Sequence, residues 1–147
     1  MLHALFDTRL SVDPRMNDTD EQPSGDLTVR IQAMPADANA AGDIFGGWVM
    51  SQMDLAAGIR GAERAKGRVA TVAVEKLVFR RPVKVGDTLC VYSAIEKVGR
   101  TSITLRMEAW VRRYLKPDWV KVTEGVFVMV ALDAGGQPTP VPIDPLS

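Results

Sequence analysis

Two adjacent glycines and one aspartate are the groups in this chain whose type and spacing point to chemistry. Gly46 and Gly47 stand at the head of an apolar run, and Asp54 is the only charged residue between positions 44 and 59. Free backbone amides at a helix N-terminus form a ready anion site. A lone acid two turns further along is a candidate general base or nucleophile. At about 3.6 residues per turn, Gly47, Met50, Ser51, Asp54, Gly58 and Gly61 share one stripe of such a helix. A charge on that small, apolar stripe would be poorly solvated, which favours a base over a surface acid. The stripe is equally readable as structural, with Asp54 hydrogen-bonded to a loop or solvated at a subunit edge.

Spacing constrains any joint role. Gly47 and Asp54 lie seven residues apart, roughly 10 Å along a helix, so they cannot both touch one reacting carbonyl. If both take part, they come from two chains. A two-fold dimer with antiparallel helices would set Gly47 of one subunit beside Asp54 of the other.

Several other chemistries are excluded. The single histidine is His3, near the N-terminus, which leaves no Ser-His-Asp or Cys-His site. There is no Gly-x-Ser-x-Gly elbow, no Gly-x-Gly-x-x-Gly and no phosphate-binding Gly-x-x-x-x-Gly-Lys motif. No Cys/His cluster suits zinc and no carboxylate cluster resembles a magnesium or calcium loop, so no metal is expected.

The elements that must carry these residues are readable from periodicity. A strand is expected over 27–33, then a polar loop, then a helix over 45–66 with Gly67 as its stop. Strands follow over 68–79, 88–98, 101–114 and 119–132, joined by short turns. Short connections imply antiparallel pairing, with one sheet face covering the helix. In the fourth strand Ile103, Leu105, Met107, Ala109 and Val111 alternate with Thr104, Arg106, Glu108, Trp110 and Arg112. The first set is expected to face the core, the second solvent or an assembly surface. Gly58 and Gly61 each cost about 1 kcal/mol relative to alanine in a helix interior. Close approach of the sheet, or of a second copy of the helix, would justify that cost.

The 147 residues suffice for one domain, expected over 27–133 between a flexible arm (1–26) and a Pro/Gly-rich tail (134–147) that is extended or loose. Eighteen basic and eighteen acidic residues balance, so neither nucleic acid nor an anionic membrane is the expected partner. The single cysteine, Cys90, excludes an intrachain disulfide and is expected to be a small buried hydrophobe. No apolar run reaches membrane-spanning length and the first residues lack an apolar signal core, so a cytoplasmic protein is the default.

The run Met34-Pro35-Ala36-Asp37-Ala38-Asn39-Ala40-Ala41-Gly42-Asp43-Ile44-Phe45-Gly46-Gly47-Trp48-Val49-Met50-Ser51-Gln52-Met53-Asp54 closely resembles the hot-dog-fold acyl-CoA thioesterases of the YciA type. Val69-Ala70-Thr71-Val72-Ala73-Val74-Glu75, Pro82-Val83-Lys84-Val85-Gly86-Asp87 and Val98-Gly99-Arg100-Thr101-Ser102-Ile103 extend the resemblance over residues 27–132. It implies an α+β hot-dog fold, a long central helix wrapped by a curved antiparallel β-sheet. It also implies homodimers with a composite site, often as a trimer of dimers (a hexamer), and hydrolysis of acyl-CoA thioesters. The family's catalytic acid falls on Asp54, its amide donor on Gly47, with Gly46 beside it, and a related asparagine on Asn39. The turn associated with coenzyme A falls on Gly99, Arg100, Thr101 and Ser102. Coenzyme A is then part of substrate and product, and no separate cofactor is implied.

The chemistry of the residues agrees with the resemblance. A thiol is a good leaving group, with a reference value near 8.5 for cysteine, so thioester hydrolysis manages without a histidine. It needs an oxyanion donor and a base or nucleophile. Asn39 could orient water or satisfy loop amides. Asp43 suits the positive end of the helix dipole and is read as structural. Arg100 is a candidate for a coenzyme A phosphate or a solvated turn residue, and Arg81, Arg80 and Lys97 are further cationic candidates. The competing functional readings are a non-catalytic acyl-CoA-binding or sensing module on the same fold and a hot-dog dehydratase. The latter chemistry generally wants a histidine in the folded region.

Overall fold

The computed structural model describes residues 21–144. The expectation of a flexible arm over 1–26 falls largely outside them, as does His3. Among the described residues are five strands, one long helix and a short 3-10 turn (Pro35–Asp37): β1 (Asp26–Gln32), α1 (Gly46–Ala65), β2 (Val69–Phe79), β3 (Thr88–Val98), β4 (Ser102–Arg112) and β5 (Trp119–Ala131). The strands form one antiparallel sheet in the order β1-β3-β4-β5-β2. β2, the strand that directly follows the helix, is therefore a sheet edge.

The helix buries Val49, Met53, Ala56, Ala57, Gly61 and Ala65, a stripe at three- and four-residue spacing. They pack on Ile103, Leu105, Met107 and Val111 of β4 and on Phe127 and Met129 of β5. The sheet wraps the helix as expected of a hot-dog fold. At the helix C-terminus Lys66, rather than Gly67, takes the left-handed conformation (φ 54°). The amide of Gly67 then donates to the Ala62 carbonyl at 3.3 Å.

The glycines of the helix separate. A methyl at Gly61 would sit 3.5 Å from Met129 and Val69, in ordinary contact, so the sheet approaches there. A methyl at Gly58 would meet nothing within 4 Å. Within one protomer, then, the sheet gives no reason for Gly58.

Two regions differ from expectation. Trp110 and Glu108, on the face read as solvent or assembly surface, are buried. A register shift between Ala109 and Trp110 accompanies this. Trp110 stacks on Trp119 at 5.7 Å and donates its indole N–H to Glu108 at 3.0 Å. The tail is extended but held. Thr139 N–H donates to the Ala131 carbonyl and Val141 N–H to the Arg100 carbonyl, both at 2.8 Å. Arg64 donates to the Pro142 carbonyl at 2.6 Å.

Residues 21–26 are likewise tied to the sheet. Glu21 pairs with Lys121 at 3.0 Å, and Ser24 accepts from Arg106 at 2.6 Å. Gly25 has φ +103°, and any side chain there would lie 2.4 Å from the Ser93 carbonyl oxygen. Cys90 is buried, as expected, and burial pushes its thiol up from the ordinary value.

Candidate active site

The head of the helix is fixed from two sides. Ile44 N–H donates to the Val83 carbonyl at 3.2 Å, and Phe45 N–H to the Asp37 carbonyl at 3.2 Å. Asp43 pairs with Lys84 at 2.9 Å, the structural role read for it. Lys84 is itself placed by the buried Asp87, whose carboxylate accepts the Lys84 amide at 2.8 Å and the Arg113 guanidinium at 2.5 Å. The Pro82–Asp87 stretch is thus a clamp on the loop that delivers Gly46 and Gly47.

No side chain caps this helix. Phe45 is the N-cap and makes no side-chain bond, and the first helical-turn bond runs from Trp48 N–H to the Phe45 carbonyl at 3.1 Å. The amides of Gly46 and Gly47 precede it. A methyl added to Gly47 would meet nothing within 4 Å. Two accessible N–H groups at the positive end of a helix dipole favour developing negative charge.

A cleft of about 530 Å³ runs from there along the helix, lined by Gly47, Met50, Ser51, Asp54, Thr71, Val74, Leu77 and Phe127. Asp54 is exposed in the protomer rather than enclosed, because the stripe it stands on has no cover. Thr71, on β2, donates its hydroxyl to Asp54 Oδ1 at 2.5 Å, and the same hydroxyl lies 3.2 Å from Met129 Sδ. That bond engages one of the two carboxylate oxygens. Thr71 is not singled out by the sequence. The available signal is a hydroxyl in an otherwise Val/Ala-rich strand that returns antiparallel along the helix.

The other predicted residues are placed elsewhere in the protomer. Asn39 Oδ1 accepts the amides of Ala41 (2.9 Å) and Asp43 (3.1 Å), so its oxygen organises the loop before the helix. Asn39 does not line the cleft. The Gly99–Ser102 turn joins β3 to β4 beside the far end of the helix, where Ala131 N–H donates to the Thr101 carbonyl and Leu132 N–H to the Arg68 carbonyl. A methyl at Gly99 would lie 2.5 Å from Ser102 Oγ, so a side chain there would turn the Ser102 hydroxyl aside. The Arg100 side chain is exposed, with no carboxylate partner among the described residues. Arg81 donates to the Lys121 carbonyl at 3.2 Å, and Arg80 pairs with Glu124. Of the predicted set, the protomer brings Asp54 and Gly47 to one cleft and leaves the remaining residues outside it.

Comparison with known proteins agrees with this architecture. The sequence profile of the thioesterase superfamily matches residues 41–113. The acyl-CoA thioester hydrolase YciA of Salmonella typhimurium is 48% identical over 131 residues, 87% of this chain and 98% of that protein. Its Escherichia coli K12 counterpart is 46% identical over 88% of this chain and 100% of that one. A hexameric thioesterase from Yersinia pestis superposes with a TM-score of 0.81 at 47% identity, covering 84% of this chain and 100% of the other. A hexameric broad-specificity acyl-coenzyme A thioesterase, solved as an aspartate-to-alanine mutant, superposes at 0.80 with 45% identity, covering 83% and 90%. With a wrapped helix, an uncapped Gly-Gly helix head and full-length relatives at this identity, the chain belongs to the YciA-type acyl-CoA thioester hydrolases of the thioesterase superfamily.

Proposed function

We propose that hydrolysis proceeds in a composite site, with Asp54 of one subunit as general base or nucleophile and the Gly47 amide of the partner subunit polarising the thioester carbonyl. The observation that carries this reading is an uncapped helix head and a held carboxylate on one cleft of one helix, seven residues and hence roughly 10 Å apart along it, which is too far to serve one carbonyl. As base, Asp54 takes a proton from water. The resulting hydroxide adds to the carbonyl carbon, and the oxyanion gathers at the Gly47 amide, with Gly46 beside it. Collapse breaks the C–S bond and the proton goes to the departing thiolate. As nucleophile, Asp54 displaces the thiolate to give a mixed anhydride that water then opens. Neither route needs a metal or cofactor.

A second copy of the chain is the natural cover for the open stripe. Leu55 and Ile59 on the helix and Val72, Val74 and Val78 on β2 are exposed. β2 is a long apolar edge strand, and such an edge is a template for pairing with another chain. Gly58 faces the same open side. The hexameric relatives support a trimer of such dimers, and assembly would let the distant Gly99–Ser102 turn, led by the exposed Arg100, meet a coenzyme A phosphate. Arg81 is the weaker cationic candidate because its guanidinium already serves the Lys121 carbonyl. No described helix is long and apolar enough to cross a membrane, and the cytoplasm is the compartment we propose.

The test is free-thiol release from a panel of acyl-CoAs by wild type and Asp54→Asn, with assembly state measured alongside. Turnover that survives in Asp54→Asn at the wild-type rate would refute the assigned chemistry.

A further inference from the structure

We infer that Leu77 sets the depth of the acyl cleft and thereby the acyl chains the enzyme accepts; the inference rests on the thioesterase reading of that cleft. The register of β2 is irregular. In a regular strand every second residue shares a face. Here Thr71, Val74 and Leu77, three residues apart, all line the cleft. Two one-residue bulges make this possible. Thr71 stands opposite Met129 and Ala73 opposite Val128, so Val72 is extra. Glu75 stands opposite Val126 and Val78 opposite Glu124, so two residues of β2 face the single Gly125.

The second bulge is specific in its geometry. Lys76 takes φ 51°, a left-handed conformation that side chains other than glycine rarely adopt. Bulges of this kind re-aim a side chain. The side chain re-aimed here is Leu77, which packs against the core and lies directly over Gly125. A methyl built on Gly125 would sit 2.9 Å from Leu77 Cδ1 and 3.4 Å from its Cα. The inner face of β5 therefore leaves, at Gly125, the space that Leu77 fills. Around Leu77 the wall is apolar, formed by Met50, Val74 and Phe127. Removing the Leu77 side chain opens the cleft toward the backbone of Gly125, whose nearest neighbours on that side are Leu77 atoms.

The experiment is the kcat/KM profile over a straight-chain acyl-CoA series, acetyl to palmitoyl. It compares wild type, Leu77→Ala, Leu77→Met and the double variant Leu77→Ala with Gly125→Ala, each checked for unchanged assembly. Leu77→Ala is expected to move the optimum to longer chains, each newly buried methylene worth roughly fourfold in kcat/KM. Leu77→Met, similar in volume, is expected to keep the profile. The double variant, whose added methyl enters the vacated space, is expected to move back toward shorter chains. A folded Leu77→Ala that keeps the wild-type profile, or loses activity evenly at every length, overturns the inference. Should that variant not fold, Leu77→Val carries the same test with a smaller shift. A wild type that hydrolyses no member of the series would overturn the thioesterase reading itself, a result distinct from an unmoved optimum.

Discussion

The Thr71 hydroxyl donates to Asp54 Oδ1 at 2.5 Å, so the edge strand reaches back to fix the carboxylate in the middle of the helix. We read Thr71 as a positioning residue. Losing that bond frees the carboxylate to turn, and misplacing a reacting group by about 1 Å can cost about 10²-fold in rate. Thr71→Val should therefore lower kcat at least about tenfold with KM little changed, and Thr71→Ser should recover most of the loss. Steady-state kinetics of the pair decides it, since equal defects in the serine and valine variants would mean that the hydroxyl does not position Asp54.

Asp54→Asn keeps the shape of the side chain and can still pair with Thr71. It loses the charge needed to take a proton or attack a carbonyl. Turnover should fall by about 10²–10⁴, while acyl-CoA binding and elution volume stay near wild type. Calorimetric titration with an acyl-CoA beside the turnover assay separates loss of chemistry from loss of binding.

The helix head permits a sharper substitution. Proline is tolerated in the first helical turn because its missing N–H lacks a helical partner there. Gly47→Pro removes the proposed oxyanion donor at a position where an added methyl meets nothing within 4 Å. We expect a 10²–10³-fold drop in kcat with the far-UV circular dichroism unchanged. Activity within threefold of wild type would assign the oxyanion to another group.

How much of this was legible in the sequence follows from what each feature depends on. The helix and strand positions rest on local periodicity and glycine placement, and α1 and β3 lie within a residue of expectation. Gly47 and Asp54 stand out in the sequence as a glycine pair and a lone charge in an apolar run, and both line one cleft. Thr71 and Leu77 do not stand out, since their roles depend on two bulges in β2 that no strand period announces. Trp110 was misplaced too. Stacking on Trp119 and a hydrogen bond to Glu108 accompany the burial of a residue whose parity alone predicts exposure. The Gly99–Ser102 turn was recognisable as a motif, but its distance from the helix head is a property of the whole sheet.

A charged cluster on the sheet should make stability depend on pH. Lys121 lies 2.5 Å from Glu124, 3.0 Å from Glu21 and 3.6 Å from Glu108. Burial works against its charge, but hydrogen bonds to Glu124 and Glu21 and the Glu108 charge outweigh it and hold the ammonium above its ordinary value. Burial would likewise raise the Glu124 carboxyl, but hydrogen bonds from Arg80 and Lys121 hold it below. A lowered carboxylate stabilises the fold above its unfolded value, here the ordinary 4.5, and that stability is lost as pH falls through the lowered value. A raised ammonium stabilises below its unfolded value of 10.5 and loses that stability as pH rises through the raised one. Lys121→Met leaves the buried Glu108 without its cation and should cost about 3 kcal/mol near neutrality. Thermal melts from pH 7 to pH 2 should show the gap to wild type narrowing below about pH 4.5. A gap constant across that range would mean the cluster does not act through charge.

The segment before β1 gives the last test. Gly25, at φ +103°, lies against the backbone of Ser93, and Thr28 and Ser93 share a hydroxyl pair at 2.6 Å. Alanine at position 25 meets both a left-handed backbone and a carbonyl oxygen at 2.4 Å. Relieving that contact means pulling residues 21–25 off β3, with loss of the Glu21–Lys121 and Ser24–Arg106 bonds. Each kcal/mol lost shifts the melting temperature of a domain this size by about 4 °C. A chain lacking residues 1–26 should therefore melt several degrees below one lacking residues 1–20, and Gly25→Ala should fall on the side of the longer deletion. Differential scanning calorimetry of the three proteins reads this directly. Coincident melts for the two truncations would mean that residues 21–26 lie on the sheet without stabilising it.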